Sequence, residues 1–261
     1  MKKIYIAAYH QSKFGKLYDM TVPQIVANSV TETCKTIDAD PSLLDVGSIG
    51  ATCNMSLNRQ GLLAGLVAEV PGLAAKPIEA VENACASGGQ SILSVMTKLQ
   101  TGQGEVGVAL GYEKMRKNDG KMDGKLIGEA LGYFSHPKER EGKVYIFPHI
   151  FAEVMRDYMA EHGAAEEDFA RIAVQEYANA TYNPYAQMKK VDLTLEQALT
   201  IEGINRYIVP DLPLKTFDCS QISDGYAGMI LATEEGLTLS LIHISEPTRP
   251  LYISYAVFCL K

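Results

Sequence analysis

Cys85 is the residue whose type and setting could do covalent chemistry. It stands in Val81-Glu82-Asn83-Ala84-Cys85-Ala86-Ser87-Gly88-Gly89-Gln90, where a strand-like apolar run, Pro77 to Val81, meets a helix-like apolar run, Ser91 to Leu99. A cysteine in the first turn of a buried helix lies beside backbone N–H groups that have no helical acceptor, and beside the positive end of the helix dipole. Both favour thiolate over thiol, and the thiolate is the attacking species in nucleophilic catalysis. Ala86, Ser87, Gly88 and Gly89 are small enough to let a substrate reach the sulfur. The alternative is a packed cysteine, because free Cys behaves as a small hydrophobe.

The elements that must position this residue read as follows. Lys3–Ala8 is β-rich without clean alternation, as a buried strand is. Thr21 caps a helix with Pro23 in its first turn, and Ile25, Val26, Val30, Thr33 and Cys34 fall on one face. Strand-like Val46–Cys53 precedes a helix over Gly61–Val70, which Pro71-Gly72 ends. Strand Pro77–Val81, helix Ala86–Leu99 and strand Glu105–Gly111 follow. The alternation predicts a layered α/β sheet. Helix Ala86–Leu99 is apolar enough to be covered on most sides. Beyond Met115 the composition turns polar, and helices are expected over Tyr145–His162, Ala164–Thr181 and Leu195–Ile201. Residues 116–210 therefore read as a mainly helical insertion. Strand signal returns at Lys215–Cys219, which puts Cys219 on a strand, and at Tyr226–Leu231 after a turn at Asp224-Gly225. Gly102, Gly104 and Gly107 precede a strand, whereas a dinucleotide fingerprint follows one and opens a helix; they form a turn.

The totals exclude several classes. The chain has 261 residues and a net charge of −7, which argues against a nucleic-acid surface. Five cysteines at scattered positions suggest neither a disulfide framework nor a metal site. No run approaches a membrane span and the N-terminus reads as a strand, so a cytoplasmic protein is expected. Leu239–Lys261 is a separate matter. Leu239-Ser240-Leu241-Ile242-His243-Ile244-Ser245-Glu246-Pro247-Thr248-Arg249 and Ile253–Lys261 resemble the translation of a short-read sequencing adapter. That segment is set aside as read-through, His243 and Cys259 with it, and the natural sequence is expected to be cut off near Thr238.

Four segments, in order, resemble the thiolases: Glu82-Asn83-Ala84-Cys85-Ala86-Ser87-Gly88, Gly111-Tyr112-Glu113-Lys114-Met115, Asn183-Pro184-Tyr185-Ala186-Gln187, and Ser220-Gln221-Ile222-Ser223-Asp224-Gly225-Tyr226-Ala227-Gly228. The last two are similar to the branch of sterol-carrier-protein-type and archaeal-type acetyl-CoA acetyltransferases. The resemblance implies two similar halves packed as α/β/α/β/α, with a loop domain inserted in the first. It gives an N-terminal half at 1–115, a loop domain at 116–210 and the start of the second half at 211–238. It also implies an acyl-CoA C-acyltransferase in which Cys85 takes the acyl group from a CoA thioester. Condensation of two acyl-CoAs or thiolysis of a 3-oxoacyl-CoA would follow. No metal or other cofactor is needed, since CoA enters as substrate and hydrogen bonds stabilise the enolate.

Further catalytic groups of the family, a Gly-His-Pro histidine and a second cysteine, belong to the second half and are not in this sequence, so the chain by itself is expected to be inactive. Phe147, Pro148 and His149 stand where thiolases run a loop-domain segment over the nucleophile, with His-Met in usual members. They are carried over as acyl or pantetheine pocket lining. Ser223 is expected on the pantetheine arm, or else as a polar turn residue. Glu113 either anchors a neighbouring loop or faces solvent. Lys114, Arg116, Lys117, Lys121 and Lys125 form a basic cluster that would steer CoA phosphates or simply be solvated. A homodimer or homotetramer is implied, with Ala51–Gln60 as its surface; no nucleic-acid or membrane partner is. A ketoacyl-synthase or hydroxymethylglutaryl-CoA-synthase-like condensing enzyme shares the cysteine. A non-catalytic acyl-CoA or lipid-binding protein is the reading from another class.

Overall fold

The computed structural model describes residues 2–116, 121–143 and 145–239. Lys117 and residues 240–261, hence His243, Cys259 and nearly all of the adapter-like segment, lie outside the described residues. The described chain divides into two compact units, residues 2–122 with 223–239, and residues 123–222.

The first unit is built on one five-stranded sheet. Its strands are β1 (Ile4–Gln11), β2 (Val46–Gly50), β3 (Ile78–Val81), β4 (Val106–Glu113) and β5 (Gly225–Thr233), in the order β1-β5-β4-β2-β3. β2 pairs in parallel with both β3 and β4, whereas β5 runs antiparallel to β4 and to β1. Helices α1 (Val22–Lys35) and α3 (Leu63–Ala68) pack on one face with Ile49, Val108, Leu110 and Ile230. Helix α2 (Asn54–Asn58) is a single exposed turn, and α4 (Ser87–Gln100) packs on the other face, where Val95 and Leu99 meet Val46, Ala109 and Leu231. Both faces of β4 are therefore covered, which is why it reads as a continuous apolar run rather than an alternating one.

Helix α1 starts as its sequence directs. Thr21 Oγ1 accepts from Gln24 N while the Gln24 side chain accepts from Thr21 N, a capping box, and all five expected core positions are buried. Helix α4 departs from expectation. Its buried residues are Ser87, Ser91, Val95 and Leu99, a single stripe at four-residue spacing, and Leu93 is 57% exposed. One sheet face reaches only one stripe of a helix, and among the described residues of the first unit no other element covers the rest of α4.

The second unit is helical: α5 (Gly124–Gly132), α6 (Pro137–Arg140), α7 (Ile146–His162), α8 (Glu166–Tyr182) and α9 (Leu195–Leu199). Gly163 ends α7 in the left-handed conformation, φ 68°. One small core gathers Ala170, Ala173 and Tyr177 of α8 with Leu193 and Ala198, and another joins Ala152 and Met155 of α7 to Leu214. The strand expected at Lys215–Cys219 is a 3-10 turn, Thr216–Asp218, with Cys219 capping its end. Asp218 is the cause: its Oδ2 accepts from Lys215 N and its own N–H donates to Lys215 O, which closes the chain on itself. The turn expected at Asp224-Gly225 is extended chain instead. Asp224 bridges Gly15 and Gly225 opens β5. Helix α10 (Glu234–Leu239) follows β5 in the first unit. No helix among the described residues is long and apolar enough to cross a membrane.

Candidate active site

Parallel pairing brings the C-terminal ends of β2, β3 and β4 to one edge of the sheet, the edge at which layered α/β proteins place ligand sites. The loops there are Ala51–Cys53, Glu82–Ala86 and the exit from β4. Gly225 pairs with Glu113, so antiparallel β5 delivers Ser223 and Asp224 to the same edge.

Cys85 lies in the loop between β3 and α4 and is exposed. It does not sit in the first turn of the helix: α4 begins at Ser87 with Ala86 as its cap, so Cys85 just precedes the cap. The reason is Ala84, which adopts a left-handed backbone, φ 45°, a conformation that costs a residue with a Cβ. Surrounding bonds hold it there. The Ala84 carbonyl oxygen accepts from Ser87 N at 3.0 Å, Ser87 Oγ at 2.7 Å and Thr52 Oγ1 at 2.7 Å. Ser87 Oγ also accepts from Asn83 N at 2.9 Å, and the Glu82 side chain accepts from Ala84 N. The chain thus bends sharply ahead of the helix and leaves the Cys85 side chain in the open.

Glycines let α4 come this close to the sheet. A Cβ at Gly50 would overlap the Ser87 carbonyl oxygen and stand 3.1 Å from Gly88 N, while one at Gly111 would lie 3.6 Å from Gly88 Cα. Ser91 Oγ donates to Ser48 O at 2.9 Å and seats the next turn. Gly50→Ala is therefore expected to cost about 1–3 kcal/mol through forced displacement of backbone. Gly111→Ala, an ordinary contact, is expected to stay within about 1 kcal/mol. Urea unfolding of both variants checks the contrast, and equal midpoints would refute this account of the α4 seat.

Glu113 does not face solvent. Its carboxylate accepts from Thr52 N at 2.9 Å and from Cys53 N at 3.1 Å. Burial raises the Glu113 carboxyl pKa, and those N–H groups pull it back down. Cys53 is fully buried, and its thiol is pushed up to about 12 by burial and by the Glu113 charge; Cys34 is pushed up to about 11 by burial. Asp224, also fully buried, accepts from Leu17 N at 3.0 Å, Met115 N at 2.8 Å and Arg116 N at 3.1 Å. Lys114 is 3% exposed and donates to Leu17 O, so it is a structural member of this knot and not a solvated steering charge. Lys121 and Lys125 are exposed.

The other expected site residues fall in two places. Ser223 is half-buried in the first unit, next to Asp224. Phe147, Pro148 and His149 are half-buried in the first turn of α7, in the second unit. There His149 Nε2 faces Glu153 Oε1 at 3.5 Å, one turn along. Sequence reasoning missed Thr52 and Ser87. A threonine just past a buried strand carries no motif, and the hydroxyl of Ser87 looked like one small residue among several.

The family model for the thiolase N-terminal domain matches residues 4–235. The chain is 30% identical over 234 residues to an acetyl-CoA acetyltransferase of Methanothermobacter thermautotrophicus, covering 88% of this chain and 57% of that protein. Among solved structures it superposes on the dimeric peroxisomal thiolase of Saccharomyces cerevisiae with a TM-score of 0.67 and 19% identity, covering 92% of this chain and 67% of that one. Human mitochondrial 3-ketoacyl-CoA thiolase in complex with CoA gives a TM-score of 0.66 at 16% identity, covering 91% and 66%. The chain thus spans little more than half the length of the acetyltransferase, and both structural likenesses speak for the fold. The family match extends over the whole sheet, the Cys85 loop and the helical unit, and the chain belongs to the thiolase family.

Proposed function

We propose that the whole protein is an acyl-CoA C-acyltransferase with Cys85 as its nucleophile. The observation that carries this is an exposed thiol at the carboxyl edge of the parallel strands, just ahead of the α4 N-terminus, on a loop whose left-handed residue is held by three donors. The acyltransferase relative and the family match support it.

Cys85 Sγ attacks the carbonyl carbon of an acyl-CoA thioester. A C–S bond forms, the carbonyl electrons move to oxygen, and their return expels the CoA sulfur, which takes up a proton and leaves as thiol. Backbone N–H groups at the head of α4 are placed to receive the transient oxyanion. The α-carbon of a second acyl-CoA, after losing a proton, then attacks the Cys85 thioester, a C–C bond forms and the Cys85 thiolate is released. The reverse sequence is thiolysis of a 3-oxoacyl-CoA.

The groups that move protons in these steps belong, on this reading, to the second half. The inserted loop domain read from the sequence at residues 116–210 is, on this proposal, the helical unit at 123–222, with Phe147, Pro148 and His149 lining the acyl or pantetheine path. Ser223 contacts the pantetheine arm, Lys121 and Lys125 attract the CoA phosphates, and residues 51–60 serve a homodimer or homotetramer. Cytoplasm is the compartment proposed. The chain as it stands is proposed to be inactive, since it lacks the histidine and cysteine named above.

Full-length protein incubated with acetyl-CoA and quenched in acid is expected to carry an acetyl thioester on the peptide that contains Cys85. An unmodified Cys85, or an adduct confined to another residue, would overturn the assignment.

A further inference from the structure

We propose that Glu113 and Thr52 are positioning residues for Cys85, acting as a two-step brace that fixes the backbone at Ala84. The proposal rests on Cys85 being the nucleophile and names what aims it.

β4 extends two residues beyond the point where Gly111 pairs with Gly50, so its last residue stands beside the chain leaving β2. There the Glu113 carboxylate takes the N–H groups of Thr52 and Cys53 and sets the Ala51–Cys53 segment. Thr52, with its backbone fixed, directs Oγ1 at the Ala84 carbonyl oxygen at 2.7 Å. Ala84 immediately precedes Cys85, and of the three donors that hold its left-handed backbone Thr52 Oγ1 alone comes from outside the 82–87 loop, so its loss loosens that backbone. Each link spans elements distant in sequence: Glu113 is 61 residues from Thr52, and Thr52 is 32 from Ala84. The brace thus joins the ends of β4, β2 and β3 at the nucleophile. Neither residue needs to touch substrate. A carboxylate is suited to the first position because both its oxygens accept and the two N–H groups arrive from adjacent residues. A hydroxyl is suited to the second because it ties the Ala84 oxygen, which otherwise takes only Ser87 N and Oγ, to the chain leaving β2.

The test uses the full-length protein. Thr52→Val keeps the branched shape and the backbone N–H but removes the donor; Thr52→Ser keeps the donor. Glu113→Gln retains one acceptor oxygen and turns an amide N–H₂ toward a donor. We expect Thr52→Val and Glu113→Gln each to slow acylation of Cys85 by acetyl-CoA by roughly 10- to 100-fold, as misplacement of a reacting group does, with KM within about twofold of wild type. Thr52→Ser is expected to recover most of the rate. The double variant should be no slower than the slower single one, because both changes act through the same Thr52 bond to the Ala84 carbonyl. Amide hydrogen exchange at residues 83–86 should accelerate in both variants while β4 stays protected.

Wild-type protein that forms no acyl adduct would sink the nucleophile assignment, and the exchange data would still report on the brace. Wild-type acylation in Thr52→Val, or unchanged exchange at 83–86, would overturn the brace alone. If Glu113→Gln does not fold, the Thr52 pair decides.

Discussion

Cys85→Ala is expected to lower acyl transfer by the full-length protein at least ~10³-fold while leaving its fold intact. The loss should be that large because no other described thiol can substitute. Cys34 and Cys53 are buried, with pKa values pushed to about 11 and about 12, so at neutral pH they are protonated and out of reach. Cys219 is half-buried at the end of a 3-10 turn and heads no helix. Removing the oxyanion donors or the binding contacts would leave a weakened enzyme, but removing the attacking atom removes the covalent step itself. Cys85→Ser should fare little better, because an alcohol at that position is far less acidic than a thiol. Stability should hold within about 0.5 kcal/mol, since the side chain is exposed. Turnover measured beside a thermal melt separates the two effects. Activity within tenfold of wild type would show that Cys85 is not the nucleophile.

Much of this site was legible in the sequence, and what was not has a common physical origin. Strand–Cys–helix order, the small residues after Cys85 and the capped helix at Thr21 are local patterns, and local patterns survive in one dimension. The thiolase resemblance rested on four short segments, and the family match covers residues 4–235. Three of the departures show that origin. Apolar content predicts cover on most sides of α4, but one sheet offers the helix a single surface. Lys215–Cys219 looked like a strand because Lys215 and Asp218 are read singly as polar positions, while their mutual bonding is what curls the chain. Cys85 was placed one element too late, since a left-handed alanine has no sequence signal. The Glu113–Thr52–Ala84 links connect residues tens of positions apart, and only the parallel pairing of β2 with β3 and β4 brings them together.

The same contrast between local pattern and distant pairing governs stability in the helical unit, where Lys215 is the residue to change. Its side chain is fully buried, with Nζ 3.0 Å from Glu166 Oε2 and 3.6 Å from Asp218 Oδ2. Tyr207 donates to Glu166 Oε1 at 3.1 Å, so one lysine joins the first turn of α8 to the 206–218 segment. Taking away the cation strands Asp218, itself 7% exposed, in a poorly solvated place. Removing one partner of a buried ion pair costs about 3–5 kcal/mol, more than deletion of an ordinary surface bridge. Lys215→Met, which fills the space without the charge, is expected to lose that amount. Adding Asp218→Asn should return part of it, because the penalty is the unpaired carboxylate rather than lost volume. Urea unfolding followed by hydrogen exchange in α8 gives both numbers. A Lys215→Met protein as stable as wild type would mean that desolvation of the ammonium had already cancelled its attraction to Glu166 and Asp218. The helical unit would then be held by its two small apolar cores alone.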